Sequence, residues 1–243
     1  MLVFNISGCS FSYEGKNGYE EKNNNLNKEI IKNYSKAILK DPNNYFFYLE
    51  RGKAKHEYGN FRGAIKDFNN SFKINPDIEV IFYRGNSKFY FGDFTGAIKD
   101  YEKLTFHKSF KDQIFYNIAS TQLITFKYQD AINNFNKSIK YDNKDDYAYL
   151  YRANAKFKLN DFLESILDYT KSIEINNKSY IAFNNRGVSK FKLKNYKSAL
   201  EDFKKSLKIN PRNYSTLYNK SLTHFKLKEI KKACIDLKKS IKL

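Results

Sequence analysis

Two stretches of the sequence carry the same pattern 33 residues apart, Gly52-Lys-Ala-Lys-His-Glu-Tyr-Gly-Asn-Phe61-Arg-Gly-Ala64-Ile-Lys-Asp-Phe68 and Gly85-Asn-Ser-Lys-Phe-Tyr-Phe-Gly-Asp-Phe94-Thr-Gly-Ala97-Ile-Lys-Asp-Tyr101. Further copies follow at a spacing of 34 residues. A period of this length predicts a solenoid of helix pairs, in which each pair buries its apolar face only against its neighbours. Solenoids of this kind bind other molecules, so the repeat predicts the class of function but not the partner.

Three positions recur in every copy and predict how the two helices of a pair pack. A small residue lies near the start of the second helix: Ala64, Ala97, Ala131, Ser165, Ala199 and Ala233. One turn later comes a bulky apolar residue: Phe68, Tyr101, Phe135, Tyr169, Phe203 and Leu237. The first helix carries a second small residue: Gly52, Gly85, Ala119, Ala153, Gly187 and Ser221. Small residues at fixed places indicate that the paired helices cross closely there.

At these residues the chain resembles the tetratricopeptide repeat family, whose pattern combines aromatic residues, small residues and a closing proline. The copies span residues 45–77, 78–111, 112–145, 146–179, 180–213 and 214–243. The resemblance implies an all-α, right-handed superhelix of about six helix-turn-helix repeats. Residues 26–42 fit one more second helix without its partner, and we expect this half repeat to cap the array at its N-terminal end.

Residues 1–25 belong to no repeat, and we expect them to form a flexible N-terminal segment. Ile6-Ser7-Gly8-Cys9 has the form of a bacterial lipoprotein processing box. Only eight residues precede Cys9, and they include no basic residue, so this hypothesis requires a true start upstream. The alternatives are therefore a cytoplasmic protein and a membrane-tethered lipoprotein scaffold anchored through Cys9. The second cysteine, Cys234, is expected to be a small core residue.

Composition limits the function without identifying it. The 243 residues carry a formal net charge of +18, and no apolar run is long enough to span a membrane as a helix. Abundant Lys, Asn, Ile, Phe and Tyr are also typical of a low-GC genome, so charge alone is not a binding signal. The three histidines, His56, His107 and His224, lack metal-ligand spacing. With no phosphate loop and no nucleophile motif, we expect no enzyme activity, cofactor, metal or small-molecule substrate.

A recurrent charge pair is interpreted as structural rather than catalytic. The basic members precede the small residue of the first helix, and the acidic members precede the aromatic residue of the second. The pairs are Arg51 with Asp67, Arg84 with Asp100, Arg152 with Asp168, and Arg186 with Asp202. In the third copy both positions change together, to Ile118 and Asn134. This joint change predicts that the two positions touch and that the pair bridges the helices.

The resemblance further implies that the first helices line a concave groove that binds a protein or peptide. On this sequence the groove carries amides and aromatic rings: Asn86, Asn117, Asn154, Asn185, Asn219, Tyr83, Tyr116, Tyr151 and Tyr218. Because Asn117, Asn185 and Asn219 occupy the same place in their repeats, we expect them to form an amide ladder along a ligand backbone. The tyrosines are expected to pack against ligand side chains.

Lysines recur at one groove position of the last three repeats, as Lys158, Lys192 and Lys226, whereas the first two repeats have Glu57 and Tyr90 there. This gradient predicts an extended, partly acidic peptide ligand. The competing interpretations are an unoccupied, solvated wall and an RNA-binding solenoid that neutralises phosphates and stacks bases. The final helix, with apolar Ile235 and Ile241 and no capping helix after it, also suggests self-association.

Overall fold

A computed structural model of the chain describes residues 17–107 and 111–242, with side chains from residue 25 onward. Within these residues the chain forms thirteen α-helices and no strand. The helices are α1 (Asn17–Lys40), α2 (Tyr45–Glu57), α3 (Phe61–Ile74), α4 (Ile78–Phe91), α5 (Phe94–Leu104), α6 (Lys111–Ile124), α7 (Tyr128–Tyr141), α8 (Asp146–Lys158), α9 (Phe162–Ile175), α10 (Tyr180–Lys192), α11 (Tyr196–Ile209), α12 (Tyr214–Lys226) and α13 (Ile230–Ile241).

The helices form two compact units that divide within α6. The N-terminal unit comprises the described residues up to Thr121, and the C-terminal unit those from Gln122 onward. In the N-terminal unit α2 pairs with α3 and α4 with α5, and α1 and α3 contact the first helix that follows them. In the C-terminal unit α8, α10 and α12 pair with α9, α11 and α13 in the same way. The all-α fold of consecutive helix pairs predicted from the repeat is confirmed in each unit.

Short polar side chains and glycines set the turn inside the first two pairs. The Asn60 side chain accepts a hydrogen bond from the Gly63 amide, and Asp93 accepts one from Gly96, both at 2.9 Å. These caps satisfy amides that the first turn of a helix leaves unpaired. Gly92, just before the cap residue Asp93, has φ +90°, a conformation that is strained for any residue with a side chain.

The close crossing predicted between paired helices is present. A Cβ atom added at Gly187 would lie 2.7 Å from Phe203 Cε1, which is too near for any side chain. The same position of the first pair, Gly52, would place a Cβ atom 2.6 Å from Phe68 Cε1. Leu237 stands in the last pair at the repeat position of Phe68 and Phe203. It is 38% exposed, since no later helix lies among the described residues to cover it.

The structure corrects the predicted start of the capping helix. Helix α1 begins at Asn17, so residues 17–25, which the sequence analysis assigns to a flexible segment, are helical. No proline interrupts the chain between Asn17 and Lys40, and Glu20, Glu21 and Lys22 are good helix formers. Extending an existing helix costs much less than nucleating one, so the helix continues towards the N-terminus.

The prediction for Cys234 is also wrong, because its side chain is exposed. Ala233 is the buried small residue of α13, and successive side chains on a helix point about 100° apart, which turns Cys234 outwards. Cys9 and the proposed processing box lie outside the described residues. None of the helices in the described ranges has the length and apolar character needed to cross a membrane. Ile235 and Ile241 of α13 are exposed, and self-association through them stays a prediction.

Each predicted Arg–Asp pair is formed as a two-pronged ion pair between the helices of one repeat. Arg84 donates from Nε and Nη2 to the two carboxylate oxygens of Asp100, at 2.8 and 2.7 Å. Its remaining Nη1 donates to Asn69 on the preceding second helix, at 3.1 Å. Ser35, Asn136 and Thr170 accept the equivalent hydrogen bond in the other repeats. The arginine therefore joins three helices.

A lysine that the sequence analysis missed completes this arrangement. Lys88, one helical turn after Arg84, lies 2.7 Å from the same Asp100 carboxylate. Burial opposes ionisation of Asp100, but the hydrogen bonds from Arg84 and Lys88 outweigh it and hold its pKa below the ordinary value. The other repeats place Lys55, Lys156 and Lys190 against their own aspartates. The fixed four-residue spacing from each arginine was the available signal.

Two repeats replace this cluster with other chemistry. In the third, Asn134 donates to Gln122 at 2.9 Å, so a neutral amide pair stands where a carboxylate and a lysine lie elsewhere. In the sixth, Asp236 lies 3.0 Å from Lys220 and 3.5 Å from His224. The chain thus contains its own neutral version of the ion cluster.

This neutral version provides a matched test of the cluster in the fourth repeat. We expect Asp168→Ala to lower the free energy of unfolding by about 3 kcal/mol, because Arg152 and Lys156 lose their carboxylate. The triple variant Arg152→Ile, Lys156→Gln, Asp168→Asn copies the third repeat and is expected to lose less. Urea denaturation monitored by circular dichroism measures both. An equal or larger loss in the triple variant would contradict the structural role of the pair.

Candidate ligand-binding surface

The residues predicted to contact a ligand all lie on the first helices, and they differ in how far they are exposed. In the N-terminal unit, the four are half-buried: Tyr83, Asn86, Tyr116 and Asn117. In the C-terminal unit, Lys192 and Lys226 are exposed, whereas Lys158 and Tyr218 are half-buried. The remaining four are buried: Tyr151, Asn154, Asn185 and Asn219.

The asparagines of the predicted ladder connect neighbouring first helices. Asn185 on α10 donates from Nδ2 to the Asn154 side chain on α8, at 3.2 Å. Asn219 on α12 donates to the Asn184 side chain on α10, at 3.1 Å. Asn184 is not at the repeat position of Asn154, which Val188 occupies in α10. Sequence reasoning missed this packing role, although for Asn185 an asparagine one turn along the preceding first helix, Asn154, was a readable signal. Contact between these amides and a ligand stays a prediction.

In the N-terminal unit the same contact joins Asn117 on α6 to Asn86 on α4, at 3.2 Å. The Asn86 oxygen also accepts a hydrogen bond from the Tyr101 hydroxyl, at 2.8 Å. A carbonyl oxygen has two lone pairs, so it can accept both hydrogen bonds. Asn86 therefore links its own second helix to the next first helix.

Asn154 in the C-terminal unit repeats this arrangement, since its oxygen accepts from the Tyr169 hydroxyl at 2.7 Å. Burial raises the pKa of Tyr169 well above its ordinary value, so the hydroxyl stays protonated and donates. Repeats with phenylalanine in place of Tyr169 have no asparagine in place of Asn154, and the fifth repeat has Phe203 and Val188 at these two positions. In this chain, tyrosine at the first position therefore occurs together with asparagine at the second.

This correlation predicts different costs for single and paired substitutions. Asn154→Ala leaves the buried Tyr169 hydroxyl without its acceptor and removes the contact with Asn185, and we expect a loss of about 2–4 kcal/mol in the free energy of unfolding. The double variant Asn154→Val, Tyr169→Phe copies the fifth repeat and is expected to lose less. Thermal and urea unfolding of both proteins test this. The role assigned to the asparagine is wrong if the double variant is the less stable.

On the first helices of the N-terminal unit, the charge of Lys53 is neutralised by two glutamates and lies next to an aromatic ring. Lys53 lies 2.8 Å from Glu50 and 2.6 Å from Glu79, with its ammonium 5.0 Å from the ring centroid of Tyr83. Burial would lower the pKa of Lys53, but the hydrogen bonds with both glutamates raise it above the ordinary value. The charge of Lys53 is therefore neutralised by the two carboxylates next to it.

His56 lies in an aromatic cluster at the end of α2. Its Nδ1 is 2.8 Å from Ser87 Oγ, and its ring centroid is 5.4 Å from Phe61 and 5.5 Å from Tyr90. Burial lowers the pKa of His56 below its ordinary value, and the charge of Glu57 opposes this only in part. The imidazole is therefore neutral at pH 7 and packs as an aromatic ring.

A pKa that is lower in the folded state makes stability depend on pH in a defined direction. Below about pH 6.5 the unfolded chain takes up a proton at His56 that the folded chain does not, so stability falls with acidification. We expect His56→Gln to reduce the loss of unfolding free energy between pH 7 and pH 5.5. Parallel urea titrations at the two pH values measure it, with His107→Gln as a control at an exposed histidine. An unchanged slope in His56→Gln would show that this histidine is not responsible.

In the C-terminal unit, Lys158, Lys192 and Lys226 are the last residues of α8, α10 and α12. A cation in the last turn complements the helix dipole, which gives each lysine a local structural role. Residues 122–243 hold 26 Lys and Arg against 12 Asp and Glu, a net charge of +14, whereas residues 1–121 carry 18 against 14, or +4. The basic character of the chain is concentrated in this half.

The described residues contain no group of three or more His, Cys, Asp or Glu side chains that could hold a metal ion. Their polar groups instead form ion clusters and amide contacts between helices. The chemistry that the surface offers is charge, hydrogen bonding and aromatic contact, which suits non-covalent recognition.

Comparison with known proteins agrees with the helical-repeat fold. Residues 112–145 and 214–243 match one tetratricopeptide repeat model, and residues 180–213 match a second. No curated protein sequence matches the chain significantly.

Several solved structures have the same fold. The C-terminal part of a TPR repeat-containing protein from Cytophaga hutchinsonii superimposes with a TM-score of 0.76 at 18% identity, over 93% of this chain and 94% of that one. A tetratricopeptide repeat protein from Parabacteroides merdae gives 0.67 at 16% identity, over 92% of both chains. YrrB, described as a TPR protein with an unusual peptide-binding site, gives 0.64 at 16% identity, over 77% of this chain and 97% of its own.

At these identities the structural likeness shows the fold alone. The family models match three of the repeats read from the sequence, and neither model describes a catalytic family. Together with the consecutive helix pairs of both units, these matches identify residues 112–145 and 180–243 as tetratricopeptide repeats.

Proposed function

We propose that the chain is a non-enzymatic scaffold whose C-terminal unit binds an extended, partly acidic segment of a protein partner. The observation that carries the proposal is the recurrence of Lys158, Lys192 and Lys226 at the ends of three neighbouring first helices. These lysines belong to the half of the chain with a net charge of +14. Tetratricopeptide repeat proteins bind protein or peptide partners, which favours a peptide ligand.

The packing beneath the lysines supports their acting together. The amide contacts of Asn185 with Asn154 and of Asn219 with Asn184 hold α8, α10 and α12 side by side. A ligand therefore meets three ammonium groups on a preformed framework and pays little for ordering the protein. Charge complementarity of this kind raises the rate of encounter and selects acidic partners.

Aromatic residues supply contact area that the lysines lack. Tyr147 and Tyr214, in the first turns of α8 and α12, are exposed, and Tyr218 is half-buried. Exposed ion pairs contribute only about 0.2–1 kcal/mol each, so three lysines account for roughly 1–3 kcal/mol of binding. Measurable affinity for a protein segment then requires apolar contact with rings such as these.

The proposal predicts that removing the three lysines weakens binding of acidic peptides. A fluorescein-labelled peptide of alternating Glu and Ala serves as the probe, with an uncharged Ser-Ala peptide as the reference. We expect the variant Lys158→Gln, Lys192→Gln, Lys226→Gln to bind the acidic probe about tenfold more weakly in fluorescence anisotropy. The control variant Lys197→Gln, Lys208→Gln, Lys231→Gln removes the same charge from exposed lysines on second helices.

Equal weakening in the two variants would show that net charge, and not this row of lysines, attracts the probe. Equal binding of the acidic and uncharged peptides by the wild-type chain would refute the proposal. An oligouridylate probe tests the RNA alternative in parallel. If it binds more tightly than the acidic peptide, and its affinity falls steeply with salt, the basic surface binds phosphates instead.

A further inference from the structure

We propose that the segment bound by the C-terminal unit is in the polyproline II conformation and carries an acidic residue at every third position. The inference rests on the proposed function and adds the conformation and spacing of the ligand. The lysine row is the set Lys158, Lys192 and Lys226. The inference combines the turn that follows each lysine and the separation of neighbouring first helices with the known geometry of extended chains.

The turn after each lysine has the same backbone conformation in all three repeats. The next residue is a leucine with nearly identical dihedral angles: Leu159 (φ −84°, ψ 6°), Leu193 (φ −80°, ψ 9°) and Leu227 (φ −83°, ψ 3°). A residue with positive φ follows each of them: Asn160 at 64°, Lys194 at 61° and Lys228 at 63°. The backbone around the Lys-Leu pair therefore has one local conformation in all three repeats.

The first two repeats lack the Lys-Leu pair at the end of the first helix. Their corresponding pairs are Glu57-Tyr58 and Tyr90-Phe91, followed by glycines with positive φ. The turn itself is thus a general property of the helix pair, whereas the Lys-Leu pair belongs to the C-terminal unit. In that unit Leu159 and Leu193 remain 45% and 39% exposed, so an apolar contact accompanies each of these two charges.

The separation of the lysines follows from the packing of their helices. Direct hydrogen bonds join α8 to α10 and α10 to α12, so these first helices are immediate neighbours. Packed helices lie about 8–10 Å apart. Because each lysine ends its helix at the same position of the repeat, we infer a similar interval between neighbouring lysines along one edge.

Only some backbone conformations bring side chains to one side at this interval. Polyproline II has three residues per turn and rises about 3.1 Å per residue, so residues three apart lie on the same side about 9.3 Å apart. In a β-strand, residues three apart point to opposite faces, and residues two apart are only about 6.8 Å apart. An α-helix reaches about 10.5 Å after seven residues.

Polyproline II is favoured over the helix because of the cost of ordering the ligand. It is already a major conformer of unfolded chains, so an acidic segment adopts it without folding first. A neighbouring apolar residue or proline in each triplet can then contact the leucine next to each lysine. The inferred ligand is a segment of three successive triplets, each with one Asp or Glu and one apolar residue.

Three labelled peptides separate these geometries when their binding to the full chain is measured by fluorescence anisotropy at near-physiological salt. The first repeats Glu-Pro-Ala three times, the second has the same composition with its glutamates contiguous, and the third is an alanine-rich helix with Glu at every seventh position. We expect the first peptide to bind about fivefold more tightly than the second, since two of its three ion pairs depend on the spacing.

The preference should require more than one lysine. In the variant Lys158→Gln, Lys226→Gln a single lysine of the row remains, and we expect the first and second peptides to bind equally. The control Lys197→Gln, Lys231→Gln has the same net charge and should keep the preference. Retention of the preference in the first variant would overturn the assignment of the spacing to this row.

The outcomes separate this inference from the proposed function. If all three peptides bind alike and the triple lysine variant weakens them, the proposed function stands and the spacing is wrong. If the helical peptide binds best, the ligand is a helix and the polyproline II assignment is wrong. If none binds better than the uncharged Ser-Ala peptide, the proposed function itself fails.

Discussion

A buried carboxylate held by two cations fixes how the helices of a repeat meet. Asp100 shows the arrangement, with Arg84 and Lys88 one turn apart on the facing helix and both within 2.8 Å of its oxygens. A two-pronged arginine tolerates little rotation or sliding, so the pair sets the register of one helix against the other. The same guanidinium also bonds to the second helix before it. Each repeat that has the arginine is thereby oriented on the helix before it.

Buried amides then set the neighbouring first helices against each other. Asn185 and Asn219 donate across to the preceding first helix, and the Tyr169 hydroxyl shares the acceptor on Asn154. These groups are costly to leave unpaired away from water, so they specify one arrangement as well as stabilising it. The spacing inferred for the lysines rests on this packing. The proposed ligand surface would thus arise from the way the helices satisfy their own polar groups.

The two units share this framework but present different surfaces. In the N-terminal unit Lys53 is held by Glu50 and Glu79 under an aromatic ring, and the half of the chain that contains it carries only +4. The lysines at the helix ends of the C-terminal unit stand in a half that carries +14. Because a residue with positive φ follows the first helix in both units, the difference arises mainly from the side chains beside the turn. The repeat thus keeps its fold while its surface changes.

The sequence by itself determined the fold class and the paired positions, because small residues, aromatic residues and charge pairs recur at fixed spacing and each reports a local contact. The joint change to Ile118 and Asn134 even indicated which charges touch. The sequence did not show that α1 begins at Asn17, since helix extension there depends on weak propensities. It also did not distinguish an asparagine that faces a ligand from one that bonds to the neighbouring helix, because both lie on the same face of the first helix. Only the tertiary structure showed the contacts between the helices, since the partners of Asn185 and Asn219 come from the preceding repeat, more than 30 residues away in sequence.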